Sequence, residues 1–210
     1  MQSATSVPPS RSDNPFATCW TRPGALAFRF QDGQSLEQLV AKLAAQSWYG
    51  QIIGPHGSGK STLLAALIPA LAAAGRPARE LELSRGSRRL PRNLPAPGDD
   101  EIIVVDGFEQ LSWLARLQLK RRCRRARAGL LVTTHIPTGL PTLIQLSPSR
   151  RLVEELVADL CVQVPSGITN EDIAASHASH GSNVREVFFD LYDRHEGLRR
   201  TTRTVGSESA

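Results

Sequence analysis

Residues 51–64 read QIIGPHGSGKSTLL. Within them, Gly54 to Ser61 holds three glycines, one lysine and two hydroxyls, set between an apolar run and leucines that begin a helix. The glycines Gly54, Gly57 and Gly59 let the backbone turn so that successive N–H groups, including those of His56 and Ser58, face one centre. Such a nest binds anions, and the helix that follows adds the positive end of its dipole. Lys60 supplies a point charge for phosphate oxygens, Ser61 a hydroxyl ligand for Mg²⁺, and Thr62 a second hydroxyl within reach of phosphate.

Outward from this loop the chain alternates short β-type runs with helices. The runs are QIIG, 78–83 (ARELEL), 101–106 (EIIVVD), 129–135 (GLLVTTH) and 142–147 (TLIQLS). Near-continuous Ile, Val and Leu in the third and fourth predict strands buried on both faces. Strands alternating with helices predict a parallel sheet with right-handed crossovers, an α/β three-layer sandwich. Ser35 with Gln38 forms a capping box ahead of apolar residues at helical spacing, so a helix is expected from there to before Gly50. Ala25 to Phe30 alternates like a short strand. Past Pro165 the strands stop; Thr169 to Ala178 and Ser182 to His195 read as two helices, a small C-terminal lid. The expected organisation is a tail over 1–14, a core over 15–164, a lid over 165–196 and a second tail over 197–210, both tails being poor in apolar residues.

With 210 residues, 40% of them hydrophobic, the chain can bury a sizeable core. The longest apolar stretch, Leu63 to Ala74, is interrupted by Pro69 and is too short to span a bilayer. Cys19, Cys123 and Cys161 are odd in number and lack metal-ligand spacing, so neither a disulfide framework nor a zinc site is implied and a cytoplasmic setting is expected. The net charge of +5 rests on 22 arginines and three lysines, which favours acidic partners without naming one.

Gly54-Pro55-His56-Gly57-Ser58-Gly59-Lys60-Ser61 fits the P-loop pattern G-x-x-x-x-G-K-[ST], in the required place between strand and helix. EIIVVD ends in Asp106, matching the Walker B pattern, in which an acid at a neighbouring strand end holds the metal. No guanine-specificity motif is present, which points to ATP; no LSGGQ signature is present, which argues against an ABC ATPase. The combination resembles the additional-strand class of P-loop NTPases, and in particular AAA+ and STAND ATPases. Many of that class carry a glutamate directly after the Walker B aspartate, where this chain has Gly107. Asp106-Gly107-Phe108-Glu109 is similar to the STAND variant with a later acid, and the resemblance implies Glu109 as the base for water. GLLVTTH resembles the sensor strand, implying that His135 senses the γ-phosphate. Gly181 to Glu186 is similar to the start of the last AAA+ lid helix, implying a sensor role for Arg185. Arg150 and Arg151 are candidates for an arginine finger, and oligomerisation is left open.

Residues 115–127 (ARLQLKRRCRRAR) form a helix with a narrow apolar stripe of Leu119, Cys123 and Ala126. Its other faces carry Arg121, Arg122, Arg124 and Arg125, suited to nucleic acid or an acidic protein. Arg85, Arg88, Arg89 and Arg92 form a second cluster. The leading expectation is an ATP-binding, slowly ATP-hydrolysing nucleotide-dependent switch. A small-molecule P-loop kinase and a non-enzymatic, nucleotide-bound adaptor remain as alternatives.

Overall fold

A computed structural model describes residues 14–22, 24–31, 33–83, 88–162 and 166–207, the last seven by backbone alone. Residues 1–13, most of the expected N-terminal tail, and Arg85 lie outside the described residues.

Five strands, β1 (Tyr49–Ile53), β2 (Ala78–Glu80), β3 (Ile102–Val105), β4 (Gly129–Thr134) and β5 (Thr142–Gln145), form one sheet in the order β2-β3-β4-β1-β5. Every pairing is parallel. The strand β4 is therefore intercalated between β1, which leads into the glycine loop, and β3, which ends at Asp106. Register continues this: Val105 lies opposite Val132, and Ile53 opposite Thr134.

Alternate residues of the strands feed two separate cores, as period-two geometry requires. Ile102, Val104 and Leu131 pack with Leu39 and Leu43 of α2 (Leu36–Ala45) and Leu63 and Leu67 of α3 (Lys60–Ala73). Ile103, Val105, Leu130 and Val132 pack on the other side with Ala115, Leu119 and Cys123 of α4 (Trp113–Arg125). This is the three-layer α/β sandwich expected from the run pattern. The capping box at Ser35 is present in both directions, Gln38 N to Ser35 Oγ at 3.3 Å and Ser35 N to Gln38 Oε1 at 3.2 Å.

Residues 27–147 form one compact unit; 1–26 with 148–210 form another. The second unit contains α1 (Thr18–Thr21), α5 (Arg150–Cys161), α6 (Asn170–His180) and α7 (Val184–Ser207). Its own core joins Phe16, Val153, Val157, Ile173, Val187 and Leu191. The division thus falls before α5, earlier than the expected boundary at 165. Ser149 caps α5 by accepting from Leu152 N at 3.3 Å.

Three local expectations are corrected. Residues 25–30 form no strand beyond a single bridge at Leu26. The alternation there reflects Phe28 and Phe30, which pack edge to face with ring centroids 4.9 Å apart against the α2/α3 core. The expected C-terminal tail is helical as far as Ser207, since a helix already anchored by Val187 and Leu191 extends without a new nucleus. Asn14, placed in the N-terminal tail, is buried and donates to Glu196 Oε1 at 2.9 Å. No helix among the described residues is long and apolar enough to cross a membrane.

Candidate functional site

The carboxyl ends of β1, β3 and β4 bring the expected residues together, where ligands bind in open parallel sheets. Gly54 N donates to Thr134 O at 3.2 Å, so the loop leaves the sheet beside the tip of β4. Gly57 (φ +67°) and Gly59 (φ +90°) occupy the left-handed region that side chains resist. At Gly54 the constraint is space: a Cβ would meet Ser58 Oγ at 2.6 Å and Leu146 Cβ at 3.1 Å. Ser58 Oγ is itself buried without a hydrogen-bond partner. Pro55 and His56, at the outer side of the loop, are exposed, and Thr62 is half-buried in the first turn of α3.

Lys60 is 8% exposed, and its Nζ donates to Gly54 O at 2.8 Å and Pro55 O at 2.6 Å. The ammonium is thereby held over the loop's own carbonyls at the N-terminus of α3. Ser61 Oγ donates to Asp106 Oδ2 at 2.6 Å. The other carboxylate oxygen, Oδ1, accepts a short bond from the hydroxyl of Thr133, which also accepts from Gly107 N at 2.9 Å.

The donor set fits magnesium. One hydroxyl and one carboxylate are adjacent at the loop, and no cluster of three or more His, Cys, Asp or Glu among the described residues could form an all-protein cage. Hard oxygen donors in that number suit a cation that keeps its other positions for water and phosphate.

Glu109 sits on a single 3₁₀ turn, Phe108–Gln110. Its Oε1 lies 3.2 Å from His135 Nε2, while Oε2 is buried without a partner. Of the two ring nitrogens, Nε2 is the one placed to donate to this carboxylate. On its other side, His135 Nδ1 is 3.0 Å from Gly54 O and 3.3 Å from Lys60 Nζ. The His135 ring packs on His56, with centroids 3.7 Å apart. A loop residue, the lysine, the histidine at the tip of β4 and Glu109 therefore form one contiguous cluster.

Gly107 has φ +76°, a left-handed backbone that side chains resist. The nearest atoms to a Cβ there belong to the exposed Gln110 side chain, so the backbone is what favours glycine. Sequence reasoning assigned no role to Thr133, Gln110 or Arg116. Arg116 donates from Nη2 to Glu109 O at 2.6 Å and from Nε to Leu111 O at 2.8 Å, tying α4 to the acid-bearing turn. Thr133 was visible as a polar residue in an apolar strand, but its partner depends on the β3/β4 register.

Arg185 is exposed on α7, and the site above is built from residues 27–147 without it. Arg150 and Arg151 pair along α5 with Glu154 at 2.7 Å and Glu155 at 3.1 Å. Of the α4 arginines, Arg121 and Arg125 are exposed, Arg122 pins the preceding loop through Leu94 O at 2.6 Å, and Arg124 lies 6.0 Å over the Tyr49 ring.

No family model matches this chain, and no curated protein matches it. Solved structures do. NtrX from Brucella abortus in complex with ADP is similar at TM-score 0.53 and 15% identity, over 78% of this chain and 50% of that one. The same protein in complex with ATP gives 0.51 and 14%, over 80% and 49%. A RuvB variant from Thermotoga maritima gives 0.54 and 12%, over 81% and 61%. The chain spans less than two thirds of the length of each. At such identities the likeness is one of fold, and the fold is the α/β fold of P-loop NTPases.

Proposed function

We propose that this protein binds ATP with Mg²⁺ and hydrolyses it slowly, acting as a nucleotide-dependent switch of AAA+/STAND type. The observation that carries the reading is the 2.6 Å bond from Ser61 to Asp106, which joins the start of α3 to the end of β3 beside a glycine loop of the required conformation. The fold is shared with structures that hold ADP and ATP.

Backbone amides from His56 to Thr62 receive the phosphates, and Lys60 turns from the loop carbonyls to the β- and γ-phosphate oxygens. Ser61 and Asp106 hold Mg²⁺, whose charge offsets that of the triphosphate. Glu109, through its unpartnered Oε2, takes a proton from the attacking water, and His135 fixes the carboxylate from its other oxygen. A base on a 3₁₀ turn, three residues after Asp106, stands apart from the usual glutamate position, which supports slow turnover.

Arg185 as a nucleotide sensor rests on the Gly181 to Glu186 resemblance alone. The unpaired thiols Cys19, Cys123 and Cys161 support a cytoplasmic setting. The basic face of α4 supports an anionic macromolecular partner. Phosphate release from ATP by the purified protein, beside Lys60→Ala and Glu109→Gln, tests the reading. Turnover abolished in both variants supports it; equal rates in all three overturn it.

A further inference from the structure

A groove of about 590 Å³ runs between α4 and the segment from Arg89 to Pro91. It is lined by residues of the 27–147 unit only. Part of its lining is apolar, with Leu90 half-buried and Leu114 53% exposed. Its exposed cations are Arg121 and Arg125, one helical turn apart on α4. No carboxylate occurs among the described residues that line it. The walls are held to each other, since Ser112 N donates to Arg88 O at 2.8 Å and Arg122 pins Leu94 O, so the groove is preformed.

We infer that this groove docks an acidic protein segment in which carboxylates flank an aliphatic side chain. The inference rests on the reading of α4 as an anion-facing surface and names the partner class. Guanidinium forks match carboxylates bidentately, and Arg121 and Arg125, one turn apart beside the apolar lining, suit two carboxylates with an aliphatic side chain between them. The apolar lining decides against nucleic acid. A phosphate backbone would satisfy the arginines but leave Leu90 and Leu114 uncovered, and none of the described residues lining the groove is aromatic, so a base has nothing there to stack on. The groove also adjoins the site: Arg116, on the same turn of α4, holds the main chain of Glu109.

The test is fluorescence anisotropy with a labelled peptide of alternating glutamate and leucine, compared with polyglutamate and single-stranded DNA of equal charge. The alternating peptide binds saturably and more tightly than either comparison polymer. The Arg121→Glu/Arg125→Glu double variant weakens it by at least about tenfold, and Leu114→Asp does so by about tenfold or more through lost apolar contact. Both variants change exposed positions and melt at the wild-type temperature. DNA binding as tight as the peptide, with Leu114→Asp without effect, overturns the inference and leaves a general polyanion surface. Failure of all three probes overturns the anion-facing reading of α4 as well.

Discussion

Glu109 Oε1 and His135 Nε2 stand 3.2 Å apart, joining the turn after β3 to the tip of β4. The pair places the only acid on that turn against the histidine that also touches the phosphate loop. If Glu109 is the base, Glu109→Gln lowers turnover by about 10²- to 10⁴-fold while ATP affinity stays near wild type. Steady-state phosphate release and equilibrium nucleotide titration, measured on the same preparation, check both halves.

If His135 acts through Glu109 and the loop, His135→Gln has a smaller effect, about tenfold on kcat. Glutamine keeps a donor for the carboxylate and should outperform His135→Ala. Equal loss in the two variants would show that the hydrogen bond to Glu109 does not matter.

Restoring the usual glutamate by Gly107→Glu will not raise activity. Gly107 has φ +76°, and a left-handed backbone costs a non-glycine residue about 1–2 kcal/mol. A lower urea midpoint with unchanged or reduced turnover is expected.

Thr133 is fully buried and serves two partners, Asp106 and Gly107 N. Thr133→Val leaves the Gly107 amide without its acceptor, at a cost of about 1–3 kcal/mol, and frees the Asp106 carboxylate to rotate. Urea unfolding reads the first effect. The second is a higher Mg²⁺ concentration for half-maximal ATP binding.

In the helical unit, backbone and hydroxyl bonds from Thr169, with a smaller contribution from Arg194, hold the Asp172 carboxyl below its ordinary value. Folding therefore favours the ionised form. The stability this adds is complete above the ordinary carboxylate range and is lost as pH falls through the lowered native value. The melting-temperature gap between wild type and Asp172→Asn should be widest near neutrality and narrow in acid.

The fold was legible because its determinants are local. Runs such as IIVV and LLVTT announce buried parallel strands, and Gly57 and Gly59 stand where φ is positive. The helix α5 carried a Ser149 cap and apolar residues at Leu152, Val153, Leu156, Val157 and Leu160, yet went unread because strand runs dominated that part of the chain. The alternation from Ala25 to Phe30 misled because aromatic anchoring onto a core imitates strand periodicity. For the site, residue types at the loop and at Asp106 were readable from spacing. The Thr133 bond to Asp106, the packing of His56 on His135 and the hold of Arg116 on Glu109 were not. The first two depend on which strands neighbour one another, a long-range outcome that no window of sequence contains; the third, seven residues apart, depends on how the turn at Phe108–Gln110 meets α4.

The central claim is that the loop from Gly54 to Thr62 wraps a triphosphate with Lys60 closing over it. Equilibrium titration of a fluorescent ATP analogue with Mg²⁺ into wild type and Lys60→Ala tests it most directly. Saturable one-to-one binding, weakened at least about tenfold by loss of the charge-assisted contact, is the predicted result. Absence of saturable binding by wild type, or identical affinity in the variant, would contradict it.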